Sequence, residues 1–148
     1  MPHRRGRLQG RVLRVFLDTN VLVGAFLTRG ICEDVLNVVL AEHQLVLGES
    51  VLTELRRVLE KKMRMDPELA DEALAFLRRE AMIPSSAPSL PLPVRDPDDV
   101  VLFSEAIAGL AEVVVTGDGD ILEAEEALPL SVVTPRGFWK LILRRGRS

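Results

Sequence analysis

The 148-residue sequence predicts an α/β fold, a three-layer sandwich in which a central parallel sheet of about five strands is flanked by helices. The apolar run 12–17 lacks the alternation of a half-exposed strand and is typical of a strand buried on both faces. Strand-like and helical patterns then alternate along the chain, mostly with short turns between them. A chain of this length buries roughly two-thirds of its unfolded surface, so we expect one domain.

Composition and charge are those of an ordinary soluble globular protein. Hydrophobic residues make up 47% and charged residues 28%, and the formal net charge of −3 gives no global attraction to nucleic acid. The single cysteine, Cys32, excludes an intrachain disulfide framework, and a cytoplasmic location is expected. Because Asp18 interrupts the longest apolar run, no segment is long enough to span a bilayer, and no membrane partner is expected.

Charge is distributed unevenly along the chain. Arginines are concentrated in residues 1–11 and 144–148, which we expect to be basic tails on a domain that spans residues 12–143. Such tails are either solvated ends or contacts for a nucleic-acid backbone. The prolines between residues 84 and 93 indicate an extended connection and not a domain boundary, because too little chain follows for a second core.

Start signals and hydrophobic spacing define the elements of the first half. Val51, Leu55 and Leu59 form the apolar stripe of one helix. Asp66 followed by Pro67 is a cap and a first-turn proline, which start the next helix. The predicted elements are strands at 12–17 and 44–47 and helices at 31–42, 50–62 and 67–79.

The second half continues the alternation. Asp96 and Pro97 form another start signal, and the run 112–116 is the best strand pattern after the first one. The predicted elements are strands at 82–83, 112–116 and 130–133 and helices at 98–110, 121–128 and 135–143.

Two carboxylates follow the two best strands. Asp18 ends the first strand, and Asp118 follows the strand at 112–116 between two glycines that permit close approach of a ligand. Ligand sites of open α/β sheets lie at the carboxyl ends of the strands. We therefore expect these two carboxylates to converge.

Two helices offer further acids. Asp99 lies three and four residues before Leu102 and Phe103 on the apolar line of its helix, whereas Asp98 is rotated by about 100°. Helical phase favours Asp99 as the third acid, although capping of the helix would also account for acids at this position. Glu54 flanks the stripe of its own helix and is either a fourth acid of the site or a solvated charge.

Converging carboxylates repel one another unless a proton or a cation neutralises them. An all-oxygen cluster suits hard ions such as Mg²⁺ or Mn²⁺, which take phosphate oxygens as further ligands. Asp120 either caps the helix that follows it or reaches the site through a water molecule. Zinc does not fit, because His3 and His43 adjoin none of these candidate acids, and the sequence has no Gly-rich phosphate loop. These residues therefore indicate a metal-dependent reaction on a phosphodiester.

With these acids in place, the sequence resembles the PIN-domain family and, within it, the VapC-like toxins of toxin–antitoxin pairs. The matching stretches are 17–23, 51–55, 95–99, 115–120 and 133–138. The resemblance extends over nearly the whole chain, and the order and spacing of these stretches are more specific than any single one.

The resemblance implies a metal-dependent endoribonuclease that uses Mg²⁺ or Mn²⁺. Carried over residue by residue, its catalytic acids are Asp18, Glu54, Asp99 and Asp118, its metal ligands are Asp18, Asp99, Asp118 and Asp120, and its polar supports are Asn20 and Thr116. It also implies an RNA substrate, an antitoxin that inserts a basic side chain among the acids, and a possible homodimer.

Two other functions stay open. The acids could bind a structural cation or an arginine-bearing partner in a non-catalytic RNA- or protein-binding module. The acidic pair Asp118 and Asp120 after a strand also fits a TOPRIM-like metal-dependent phosphotransfer domain. A basic cluster in and after the Glu54 helix could follow a phosphate backbone or be a solvated face; its members are Arg56, Arg57, Lys61, Lys62 and Arg64.

Overall fold

The computed structural model describes residues 11–119 and 128–146. In this part of the chain four strands form one parallel sheet, in the order β2-β1-β3-β4. The strands are β1 (Arg14–Leu17), β2 (Gln44–Val46), β3 (Val113–Val115) and β4 (Ser131–Val133). The predicted α/β fold with a parallel sheet flanked by helices is confirmed.

Helices connect the strands and cover the sheet. They are α1 (Thr19–Leu27), α2 (Ile31–Glu42), α3 (Glu49–Arg57), α4 (Pro67–Glu80), α5 (Pro97–Ala108) and α6 (Pro135–Gly146). The closing helix α6 packs against α2, whereas α3 packs against α4 and α5. No helix among the described residues is long and apolar enough to cross a membrane.

The core consists of the sheet and the apolar stripes that the sequence identified. Val15, Phe16 and Leu17 in β1 are fully buried, as expected for a central strand covered on both faces. Leu55 in α3 and Phe103 in α5 are also fully buried and pack into the same core. The strands therefore hold their carboxyl ends at fixed positions relative to the helices that begin there.

Two helix starts follow their predicted caps. The carboxylate of Asp66 accepts a hydrogen bond from the backbone N–H of Glu68, at 2.9 Å, and α4 begins at the following proline. Asp96 accepts from the backbone N–H of Asp98 at the same distance and starts α5. Both caps satisfy an N–H group that the helix cannot satisfy itself.

The prediction of a third strand at 82–83 is wrong. Met82 forms a single parallel bridge with Val46, in which its N–H donates to Leu45 and its carbonyl accepts from Leu47. Pro84 follows and has no backbone N–H, so the ladder stops after one residue. The sheet of the described residues therefore has four strands.

Three other elements differ from prediction. Helix α1 was not predicted at all, because its residues are almost uniformly apolar and show no stripe. The predicted helix 50–62 ends its α-helical part at Arg57 and continues as the π-helical turn Val58–Lys62. Helix α6 runs three residues beyond its predicted end. The predicted helix 121–128, apart from its last residue, lies outside the described residues, and the basic tails stay a prediction.

Candidate active site

Asp18 lies at the carboxyl end of β1 and is only 9% exposed. Its backbone N–H donates to the carbonyl of Val115 in β3, at 3.0 Å, which continues the pairing of the two strands. Its Oδ1 accepts from the backbone N–H of Thr19, at 2.7 Å, and so caps helix α1. The carboxylate is thus held by the strand on one side and by the helix on the other.

Thr116 links Asp18 to the second strand-end acid. This fully buried threonine follows β3 directly, and its hydroxyl donates to Asp18 Oδ2 at 2.7 Å. The same hydroxyl accepts from the backbone N–H of Asp118, at 3.0 Å. The structure therefore brings Asp18 and Asp118 to the same end of the sheet, with Asp18 buried and Asp118 exposed.

The surroundings of Asp18 raise the pKa of its carboxyl group. Burial is the largest cause, and the negative charges of Asp118 and Glu54 add to it. The hydrogen bonds from Thr116 and Thr19 act in the opposite direction and do not cancel the effect. The charges of Asp118 and Glu54 are therefore close enough to act on Asp18.

Glu54 lies in the last turns of α3 and is partly buried. Its carboxylate accepts two hydrogen bonds from the guanidinium of Arg57, at 2.6 and 3.2 Å. This bond raises the pKa of Arg57 and holds the two side chains together on one face of the helix. The fourth predicted acid is therefore paired with an arginine of the same helix.

The first turn of α5 separates its two candidate acids. Asp99 is partly buried and Asp98 is exposed, which is the difference that helical phase predicts. Asn20, a predicted polar support, is exposed in the first turn of α1. Asp99 lies in the first turn of α5, three residues after the Asp96 cap, and its N–H donates to the Asp96 carbonyl at 3.0 Å.

The donor chemistry of this site fits a hard divalent ion, because the side chains at the sheet end are carboxylates and a threonine hydroxyl. Burial of the Asp18 carboxylate beside two further negative charges is an arrangement that a cation would stabilise. Within residues 11–119 and 128–146, no group of three or more His, Cys, Asp or Glu side chains is close enough to hold a metal ion. Asp120, the predicted additional ligand, lies outside the described residues.

Two arginines of the basic cluster after Glu54 form ion pairs with acidic side chains of the same chain. Arg56 contacts both Glu60, at 3.1 Å, and Asp71, at 2.6 Å. Arg57 contacts Glu54, as described above. Of the predicted cluster, Lys61, Lys62 and Arg64 are exposed.

Sequence reasoning missed Glu105, which is 8% exposed in α5. Its carboxylate accepts hydrogen bonds from the backbone N–H and the hydroxyl of Ser50, at the start of α3. Helical phase gave no signal for it, because Glu105 lies seven residues after Asp98, on the side of α5 that was predicted to face outward.

Comparison with known proteins identifies the family of the chain. The family model described as "PIN domain" matches residues 14–120. The chain belongs to the PIN-domain family, whose members are generally nucleases. A comparison with curated proteins gave no match.

Solved structures with a similar fold include proteins from two organisms. VapBC2 from Rickettsia felis, whose crystal structure is bound to a DNA fragment from its promoter, is 18% identical with a TM-score of 0.58. That match covers 81% of this chain and 97% of the other. PAE2754 from Pyrobaculum aerophilum is 16% identical with a TM-score of 0.59, covering 92% of this chain and 91% of the other. At these identities the likeness establishes the fold.

Proposed function

We propose that this PIN domain is a metal-dependent endoribonuclease that hydrolyses RNA phosphodiester bonds with Mg²⁺ or Mn²⁺. The observation that carries the proposal is the bridge from Asp18 through Thr116 to Asp118. It gathers two carboxylates at the carboxyl end of the sheet, with Glu54 close enough to raise the pKa of Asp18. Carboxylates gathered in this way favour a cation and, through it, a phosphodiester.

The site residues would have two roles: some would bind the cation, and others would orient the attacking water. Asp18 and Asp118 would hold it, and Asp99 and Asp120 would reach it through water, because the described residues offer no ready-made set of three protein ligands. A bound divalent ion would stabilise negative charge that develops on the phosphodiester and would increase the acidity of an attacking water. Glu54 would orient that water or accept its proton, and Thr116 would keep the Asp18 carboxylate turned toward the site.

The partner of Glu54 supports this role. Because Nε and Nη2 of Arg57 both donate to it, the Glu54 carboxylate is held in one orientation. When the substrate binds, Nη1 of the same guanidinium, which Glu54 does not use, would contact a phosphate oxygen of the RNA. Arg57 would then neutralise charge on the substrate as well as on the acid.

We further propose that the protein is the toxin of a toxin–antitoxin pair. The fold likeness to VapBC2 supports this assignment. An antitoxin that inserts a basic side chain would meet the negative region around Asp18, where the charges of Asp118 and Glu54 disfavour a second anion. Homodimerisation and a cytoplasmic location accompany this proposal.

The direct test is cleavage of single-stranded and structured RNA by the purified protein with Mn²⁺. We expect cleavage that requires the cation and falls at least about 100-fold in Asp18→Asn, more than supporting residues around a metal usually give. Glu112→Gln is the matched control, because Glu112 also accepts a backbone hydrogen bond but lies at the opposite end of the sheet. If wild type and Asp18→Asn behave identically, the nuclease proposal fails.

Two further results separate the alternatives. Salt-dependent RNA binding without cleavage would favour the non-catalytic binding module. For the toxin assignment, the product of a neighbouring short reading frame should bind the purified protein and suppress cleavage. Failure of every such neighbour to bind would leave a nuclease without an antitoxin.

A further inference from the structure

Helix α3 begins without a cap of its own. Gly48 precedes its first residue and has no side chain, so the backbone N–H groups of the first turn need other acceptors. One of them, the N–H of Ser50, donates to Oε2 of Glu105 at 3.0 Å, and the Ser50 hydroxyl donates to Oε1. The cap of α3 is therefore supplied by a different helix, α5.

The two helices approach so closely that shape also fixes this contact. A Cβ atom added to Gly48 would lie 2.0 Å from Glu105 Oε1 and 2.7 Å from the Glu105 Cβ. Because the second atom belongs to the stem of the side chain, a rotation of the carboxylate would not relieve the clash. The absence of a side chain at Gly48 thus leaves room for the Glu105 side chain between α3 and α5.

Each of these helices carries one of the proposed catalytic acids. Glu54 lies four residues after Ser50, one turn along the same side of α3. Asp99 lies six residues before Glu105, about 9 Å along α5. The Glu105–Ser50 contact is consequently a partly buried polar link between the helices that carry Glu54 and Asp99.

We propose that Glu105 is a positioning residue that fixes helix α3 against α5 and thereby sets the position of Glu54 in the active site. A carboxylate at a helix N-terminus interacts favourably with the helix dipole, and its hydrogen bonds are charge-assisted. The consequence for catalysis rests on the proposed nuclease function. The link between the two helices does not.

Three substitutions distinguish the parts of this contact. Glu105→Ala leaves the Ser50 N–H without its acceptor. Glu105→Gln keeps an oxygen for that N–H and an amide that can donate to the Ser50 hydroxyl, so it retains the geometry without the charge. Glu112→Ala is the matched control, because it removes a glutamate that accepts the backbone N–H of Arg14, at 3.0 Å, far from α3.

The first measurement is backbone hydrogen exchange of the full chain. In Glu105→Ala we expect exchange at Ser50 and the rest of the first turn of α3 to accelerate by about 10-fold or more, while the strands change much less. Glu105→Gln should restore most of the protection, and Glu112→Ala should leave α3 protected. Unchanged exchange at Ser50, or an equal acceleration throughout the chain, would overturn the proposal.

The second measurement is a double-mutant cycle on RNA cleavage under single-turnover conditions. We expect Glu105→Ala to lower the rate by about 10-fold in the wild-type background, as for residues that support a metal site. In a Glu54→Gln background the same change should lower it by less than about 2-fold, because its effect passes through Glu54. Equal effects in both backgrounds would show a structural role only and would contradict the proposal.

The two measurements separate the proposals from each other. If the wild-type protein does not cleave RNA, the proposed nuclease function fails. Hydrogen exchange alone then decides the role of Glu105, since localised acceleration upholds the link between α3 and α5 and its absence refutes it.

Discussion

Asp18 and Glu112 lie at opposite ends of the sheet, and their pKa values are shifted in opposite directions. At the carboxyl end, burial and the charges of Asp118 and Glu54 raise the pKa of Asp18. At the amino end, burial also acts to raise the pKa of Glu112. There the hydrogen bond from the Arg14 N–H and the guanidinium of Arg11 outweigh burial, and the pKa of Glu112 is lowered.

The amino end is neutralised by contacts that tie the chain together. The Arg14 guanidinium donates to the carbonyl of Gly109, at 3.1 Å, just before β3. The guanidinium of Arg145, near the end of α6, donates to the carbonyl of Arg11, at 2.6 Å. Acidic and basic groups therefore compensate one another at the amino end of the sheet. At the carboxyl end, negative charges lie close together without such compensation at Asp18.

The largest effect should come from breaking the bridge at the carboxyl end. Thr116→Val removes the hydroxyl that contacts Asp18 and the N–H of Asp118, with little change in volume. We expect Mn²⁺-dependent cleavage to fall by about 10- to 100-fold, while Thr116→Ser retains most of it. Thr134 is the matched control, because it follows β4 and its hydroxyl accepts from the Gly137 N–H at 2.8 Å. Thr134→Val should reduce stability and not cleavage; equal losses of cleavage would contradict the assignment.

Burial of the Asp18 carboxylate should lower the free energy of unfolding at neutral pH. The folded-state pKa of Asp18 is raised above its ordinary value of 3.8, so the folded chain holds this proton more tightly than the unfolded chain. Stability is therefore lost as the pH rises from about that value through the raised pKa. Asp18→Asn should raise the Tm at pH 7 in the absence of metal by roughly 2–4 °C, the shift that about 1 kcal/mol gives in a domain of this size.

The gain from Asp18→Asn should shrink as the pH falls toward 4, because the wild-type carboxyl group is then increasingly protonated in the folded state. Thermal melts of both proteins across that range measure it. A variant less stable than wild type at pH 7 would show that the hydrogen bonds to the carboxylate outweigh its burial.

The amino end offers a titration of the opposite sign. His43 accepts the backbone N–H of Leu13 through Nδ1, at 3.0 Å, and burial lowers its pKa below the ordinary 6.5. Its contribution to stability is therefore present above pH 6.5 and is lost as the pH falls through the folded-state pKa. His43→Gln should remove this loss between pH 7 and 5.5, as measured by urea unfolding. An unchanged pH profile in the variant would locate the titration elsewhere.

The smallest effect should come from the ion pair beside the site. Arg57 and Glu54 are both about half exposed, so Arg57→Ala should change the Tm very little. Removal of the guanidinium leaves Glu54 uncompensated, and the Mn²⁺ concentration for half-maximal cleavage should fall by about 2- to 3-fold. Arg56→Ala, which breaks pairs with Glu60 and Asp71 instead, is the control. A large loss of cleavage in Arg57→Ala would assign Arg57 chiefly to binding the RNA phosphate.

The sequence determined those features that neighbouring residues encode. Hydrophobic runs specified the four strands, and a cap followed by proline specified the starts of α4 and α5. The phase of α5 separated the partly buried Asp99 from the exposed Asp98. These features depend on hydrogen bonds and burial within a few residues, which a local pattern records directly.

The tertiary structure alone decided which distant residues meet. The bond between Asp18 and Thr116 spans 98 positions, and that between Ser50 and Glu105 spans 55. Neither pairing leaves a periodic signal in the sequence, because the contact depends on how parallel strands return the chain to the same end of the sheet. Only the packed sheet and helices could show that Glu105 of α5 contacts the start of α3, and that the charges of Asp118 and Glu54 act on Asp18.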